Sequence, residues 1–326
     1  MTPVCPHGLL SARLCESLER IQIRPGIRWS ATVGESTISR DSLEALRGPL
    51  SQAVYEVLHA GRRGGPVRSK SLREARLTQQ LAAATPHRTT YARARVVEAA
   101  SACNTMVVEL CDVRVSVPAE TIRSDDGAVQ PGDWVTVELP TARPALCPGF
   151  FLTDGFLGRP VHPPLLRIYV HLTEPGSAPA VWHQALSMLE EKRVRYRAKI
   201  LSLPRSYPRT DSLVFCLGTD AWDLVPDLPR MLKNLPGTGS DTSVFARPLA
   251  PGIAMAWEPA DDQPGRGNLS YGKHRSAALT DALIRHAGGR TAASLDGLVH
   301  ESLLHAGVDP LAPERNTGSP ELELPR

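Results

Sequence analysis

A histidine, a lysine and several arginines crowd into residues 167–211, and their spacing gives them a common direction. The run LRIYVHL alternates. Arg167, Tyr169 and His171 therefore share one face of a strand, and Ile168, Val170 and Leu172 share the other. The run RVRYRAK repeats the pattern: Arg193, Arg195, Arg197 and Lys199 fall two apart and project together from an extended chain. Arg209 sits in the turn that leads into an apolar strand at 213–217. Guanidinium groups bind anions in a fork, and histidine and lysine move protons. The pattern reads as an anion site with proton-transfer chemistry beside it.

A second cationic group lies further on. Residues 267–273 read GNLSYGK and match the opening of a phosphate-binding loop. The next residue is His274, where that motif requires a Ser or Thr hydroxyl for magnesium, and no apolar strand runs into the loop. Nucleotide hydrolysis is excluded on those grounds. Glycines that lead into a helix still expose backbone N–H groups, and Lys273, His274 and Arg275 fall in the first turn. The sequence alone makes this a second arm of a phosphate clamp.

The elements that must position these groups read as an α+β fold, a mixed or antiparallel sheet with flanking helices and a helical N-terminal region. Residues 1–90 form that region, with helices at 8–20, at 41–59 from an Asp41 N-cap with Glu44 three residues on, and at 71–84. The glycine-rich basic run GRRGGPVRSK links the last two. Residues 91–308 form an α+β catalytic domain. It starts with a small antiparallel β unit that turns at Gly132-Asp133, and it ends with helices up to Gly288 and at 295–305. The proline-rich, acidic residues 309–326 read as a disordered tail.

Composition narrows the function classes. With 37 Lys and Arg against 34 Asp and Glu, the net charge of +3 is too small to indicate nucleic acid, and aromatics do not interleave with basic residues. No apolar run is long enough for a membrane span and no signal-peptide pattern opens the chain, so the expected location is cytoplasmic, with no membrane partner. The six cysteines form no CxxC pair or metal-ligand spacing, and neither a metal nor a cofactor is expected.

LRIYVHL, YRAKILSLPRSYPRTDSLVFCL, GIAMAWEP and YGKHRSAALTDALI, in that order, resemble the HopA-type type III effector family. They are most similar to its actinobacterial members encoded with ribosomally made peptides, the class V lanthipeptides and thioamitides. The resemblance is firm over about 147–287 and looser from Tyr91. It implies a phosphoserine/phosphothreonine lyase. A separate kinase-like partner would phosphorylate a precursor peptide, and this chain would eliminate phosphate to leave dehydroalanine or dehydrobutyrine. The order His171, Lys199, Arg209, with Arg275 late in the chain, is also similar to the phosphothreonine lyases of enteric pathogens.

That elimination needs a base for the α-proton, an acid for the leaving oxygen and cations for the phosphate dianion. Lys199 is the expected base, since burial and neighbouring arginines lower a lysine pKa. His171 is the expected acid and His274 the alternative. Arg209 and Arg275 are the expected phosphate forks, with Tyr207, Arg167, Arg197 and Lys273 as further phosphate contacts. The competing reading is a subunit of the same complex that binds phosphopeptide or the kinase partner without turnover.

Overall fold

The computed structural model describes residues 8–62, 71–99, 103–110, 112–124, 129–232, 235–260, 269–289 and 292–322. It is an α+β protein whose strands pair antiparallel in three sheets. Helix α1 (Ala12–Leu18) buries Leu14 and Leu18. A meander of β1 (Ile21–Arg24), β2 (Trp29–Val33) and β3 (Ser36–Arg40) follows. The N-terminal region is therefore not only helical as the sequence leads one to expect. These strands of four and five residues are too short for periodicity to reveal, and the β2–β3 turn relies on Gly34 at φ +58.

Helix α2 (Leu43–Val54) starts one residue later than the capping pattern implies. Ser42 accepts from the Ala45 N–H, while Asp41 pairs with Arg28 and Glu44 with Arg47. The helix then widens into one π-helical turn over Tyr55–His59. Helix α3 (Ala75–Ala84) is capped by the Glu74 carboxylate, which accepts from the N–H groups of Arg76 and Leu77. The expected small β unit comes next: β4 (Thr89–Glu98), β5 (Thr105–Leu110), β6 (Val113–Pro118), β7 (Ile122–Arg123) and β8 (Trp134–Pro140). It packs around its own core of Ala94, Val96, Val108, Val135 and Val137.

The remaining elements build the central sheet. They are β9 (Arg143–Cys147), β10 (Phe150–Asp154), β11 (Leu166–Leu172), α4 (Ala178–Glu191), β12 (Tyr196–Leu201), β13 (Arg209–Leu217), α5 (Asp227–Leu232), β14 (Arg247–Ala250), β15 (Ile253–Trp257), α6 (Tyr271–Ala287) and α7 (Leu295–His305). The strand order is β14-β15-β11-β13-β12-β10-β9. Helix α4 carries the chain from β11 over to β12, and β13 returns between them, antiparallel to both. Ile168, Val170, Ala198, Ile200, Leu213 and Phe215 point to the back of the sheet, in one core with Trp182 and Leu186 of α4. On the front, Tyr169, Val214, Ala254 and Ala256 lie in a core with α2 and α6. That apolar front stops at β13. On β12, β10 and β9 the matching positions are Arg197, Lys199, Leu152 and Arg143.

The tail is the clearest correction. Residues 309–322 are packed against the body, with 323–326 outside the described residues. Arg275 is fully buried in α6 and donates from Nε to the Pro313 carbonyl (3.0 Å) and from Nη2 to Asn316 Oδ1 (2.8 Å) and the Arg315 carbonyl (3.2 Å). The Trp257 N–H donates to the Glu314 carbonyl, and Asn316 Nδ2 to the Glu258 carbonyl. Composition cannot reveal such an anchor, because the tail contributes mostly carbonyl oxygens. Arg275→Met keeps the volume but removes all three guanidinium bonds to the tail, leaving the Pro313 carbonyl only the Tyr271 hydroxyl and the Arg315 carbonyl only the Asp309 N–H. It should cost about 3 kcal/mol in urea unfolding and open residues 309–322 to protease before the body unfolds. Wild-type resistance in that variant would remove the anchor.

Candidate active site

The uncovered front of the central sheet is a basic band. Lys199 faces Val214 across β12–β13, and Val214 faces Tyr169 across β13–β11. One step along, Arg197 and Arg167 flank Cys216 from either side in register. The strand alternation seen in the sequence is thus what sets Arg167, Arg197 and Lys199 on one surface. Arg193 and Arg195 do not join them. Arg193 sits in a turn at φ +53, and Arg195 donates to the Leu157 carbonyl before β12 begins.

Each arginine here is held by a carboxylate. Arg197 binds Asp154 through two bonds of 2.6 and 3.0 Å, and Arg143 reaches the same carboxylate at 3.3 Å. Arg167 forks onto Glu258. Arg209 is buried and forks onto Asp211 at 2.7 and 2.8 Å. Five basic side chains (Arg143, Arg167, Arg197, Lys199 and Arg209) meet three carboxylates, so the band carries a surplus of positive charge suited to an anion. Among the described residues, no carboxylate forms an ion pair with Lys199. Its Nζ lies 4.6 Å from the Phe150 ring centroid. Burial first, and then the charge of Arg167 with a further push from Arg209, lowers its pKa from the usual lysine value.

Under Arg209 lies a buried network that sequence reasoning missed. Tyr55 accepts from Arg209 Nη2 (2.7 Å) and donates to Asp211 Oδ2 (3.1 Å). His59 holds Ser243 Oγ at Nδ1 (2.9 Å) and turns Nε2 toward Asp211 Oδ2 at 3.7 Å. Burial drops the His59 pKa to about 4 against the pull of Asp211, so the ring is neutral near pH 7. Burial alone would raise the Asp211 pKa, but Arg209, with smaller help from His59 and Lys199, holds it well below the carboxylate range. The π-helical turn is what presents Tyr55 and His59 together, with ring centroids 5.4 Å apart. An aromatic pair four apart near a helix end was the only available signal, since Asp211 lies far away in sequence.

His171 occupies a neighbouring cleft at the end of β11. The cavity of about 540 Å³ is lined by His171, Thr173, Tyr207, Arg62, Gly239 and Asp241 among others. The Asp241 N–H donates to His171 Nδ1 (3.2 Å), which leaves the Nε2 edge to carry a proton. Burial lowers this pKa and Asp241 opposes it. A methyl group on Gly239 would overlap the imidazole ring, and one on Gly252, at φ +71, would overlap the Gly239 carbonyl. Tyr207 donates to the Leu201 carbonyl (2.9 Å). With β13 between them, His171 and Lys199 have Cα atoms about 12 Å apart from strand spacing and rise.

The expected second arm does not reach this site. Gly267 and Asn268 lie outside the described residues, but Gly272 is already inside α6, packed against His59. Lys273 is exposed, whereas His274 and Arg275 turn inward, where Arg275 Nη1 meets His274 Nδ1 (2.9 Å) and the rest of the guanidinium holds the C-terminal segment. A side chain whose donors are spent on protein carbonyls is no fork for phosphate. Among the described residues, no group of three or more His, Cys, Asp or Glu could hold a metal, and no helix is long and apolar enough to cross a membrane.

Asp211→Asn leaves the Arg209 guanidinium buried beside a neutral amide, which should cost about 3–5 kcal/mol in denaturant unfolding at pH 7. The wild-type advantage should be complete above the ordinary aspartate pKa of about 3.9 and vanish as pH falls toward the depressed folded value. Equal stability of both proteins at neutral pH would refute the network's role.

Comparison with known proteins places this geometry in context. The HopA1 effector protein family matches residues 141–315, the span that holds the central sheet, α6 and the C-terminal clamp. No curated protein matches the chain. Two solved structures are similar. One is an effector protein from Pseudomonas syringae pv. tomato strain DC3000, at 16% identity and TM-score 0.47, covering 84% of this chain and 93% of that one. The other is an effector protein from Pseudomonas syringae pv. syringae strain 61, at 14% identity and TM-score 0.47, covering 84% and 92%.

Proposed function

The chain belongs to the HopA1 effector protein family, and from that premise we propose that its basic sheet face is the active site of a phosphoserine/phosphothreonine lyase. The substrate is a precursor peptide phosphorylated by a separate kinase-like protein, and the product is a dehydroalanine or dehydrobutyrine peptide of a lanthipeptide or thioamitide. The observation that carries the reading is Lys199. It is a lysine with lowered pKa, paired with no carboxylate among the described residues and set among arginines that outnumber their counter-ions there.

The chemistry follows from those groups. Neutral Lys199 Nζ takes the α-proton, the C–H electron pair forms the Cα=Cβ bond, and the Cβ–O bond breaks. Phosphate leaves with that bonding pair and is stabilised by Arg167, Arg197 and Arg209 as its charge grows. His171 as imidazolium, formed once the Asp241 N–H bond to Nδ1 opens, supplies the proton to the departing oxygen from Nε2. A dianion in the cleft raises the pKa that burial has lowered. The α-proton leaves one end of the Cα–Cβ bond and the phosphate oxygen the other, so a base and an acid on separate strands suit it.

A phosphoserine peptide incubated with the protein and EDTA should lose phosphoric acid in a mass spectrum and gain an alkene. Lys199→Arg keeps a cation on the sheet face that cannot shed its proton to act as a base. It should slow turnover about 10³-fold while phosphopeptide binding persists. Wild-type turnover in that variant would sink the base assignment. The rate should be bell-shaped in pH, rising as Lys199 deprotonates and falling as His171 loses its imidazolium proton. In His171→Gln the falling limb should vanish, and a falling limb that survives means another acid. The alternative, a subunit that binds phosphopeptide without turnover, needs the surplus positive charge of the band but no neutral lysine. Tight binding with no alkene in wild type would select it.

A further inference from the structure

Strand β1 is an outer strand of the N-terminal meander and, among the described residues, pairs with β2 alone. The Gly34 N–H donates to the Arg20 carbonyl one step before the Ile21–Val33 pair. Hydrogen-bonded pairs alternate from there, so Gln22 and Arg24 turn their N–H and C=O groups to β2 while Ile21 and Ile23 turn theirs outward. No described residue pairs with those four outward groups. They open on a groove of about 330 Å³ whose far wall is Leu283, His286 and Ala287 of α6 and Leu295 of α7.

A row of unpaired backbone groups at two-residue spacing is matched by another extended backbone, not by a helix or a small molecule. The apolar wall of Ile21, Leu283 and Leu295 suits every second side chain of such a strand. Arg24 and His286 are the titratable side chains lining the groove, and no carboxylate is among them. We propose that the β1 edge docks an extended, acidic peptide segment as a fourth strand of the meander. This surface shares no residue with the basic band, and the inference does not rest on the lyase reading. Together they give the chain one place to hold a peptide and another to act on it.

The test is a random library of peptides about 12 residues long, selected on the full chain and counter-selected on Ile23→Pro. Proline at 23 removes an outward N–H and obstructs an incoming strand, yet breaks no bond to β2. Enriched peptides should carry acidic residues among alternating apolar ones. They should bind Ile23→Pro and Arg24→Glu at least about tenfold more weakly, a loss of about 1.4 kcal/mol, while thermal melts show both variants folded. Three results would overturn the proposal. They are no enrichment, peptides that bind both variants like wild type, and a dimer in light scattering that Ile23→Pro makes monomeric, which would assign the edge to a second copy. Elimination from a phosphoserine peptide too short to reach the groove separates the two readings. If it proceeds without docking only this inference fails, and if docking occurs without it only the lyase reading fails.

Discussion

The Arg209–Asp211 pair is the joint on which the front of the molecule is assembled. Two opposite charges removed from water are costly apart and tolerable together only when their remaining hydrogen-bonding capacity is filled. Here Tyr55 fills both, taking a bond from the guanidinium and giving one to the carboxylate. Tyr55 and His59 belong to the π-helical turn at the end of α2, so the pair also fixes where that helix meets the sheet. The register shift between β11 and β13, from Val170–Leu213 to Leu172–Arg209, lets both members of the pair serve the front. Core packing, a strand irregularity and a polar network all converge there.

The same pair sets the electrostatics of the band beside it. Arg209 is neutralised by Asp211, as Arg167 is by Glu258 and Arg197 by Asp154, which prevents the arginines from repelling one another out of position. Their residual field, with burial, falls on the amine that was given no counter-ion. A cationic surface built this way is rigid before any anion arrives, so ordering it costs little on binding.

Much of this was legible in the sequence, and the failures share a cause. Strand alternation correctly put Arg167, Arg197 and Lys199 on one face, and GIAMAWEP and the 295–305 helix formed as the local pattern requires. Local pattern could not reveal what a side chain meets. Arg275 reads as a phosphate fork because guanidinium forks suit phosphate; only tertiary structure shows its donors consumed by Pro313, Arg315 and Asn316. The tail reads as disordered because its composition is poor in core residues, while its order comes from hydrogen bonds to Arg275, Trp257, Glu258 and Tyr271 that no local pattern displays. Tyr55, His59 and Asp211 went unnoticed since Tyr55 and Asp211 lie 156 residues apart and leave no spacing to read.

The two glycines behind His171 carry a consequence for heredity. Gly239 leaves room for the imidazole, and Gly252, in the left-handed region, leaves room for Gly239. The ring's pose is therefore recorded at two positions that carry no side chain. A descendant that acquired alanine at either place would have to swing its histidine elsewhere, and the cleft would greet a different guest although every polar residue in it had been inherited unchanged.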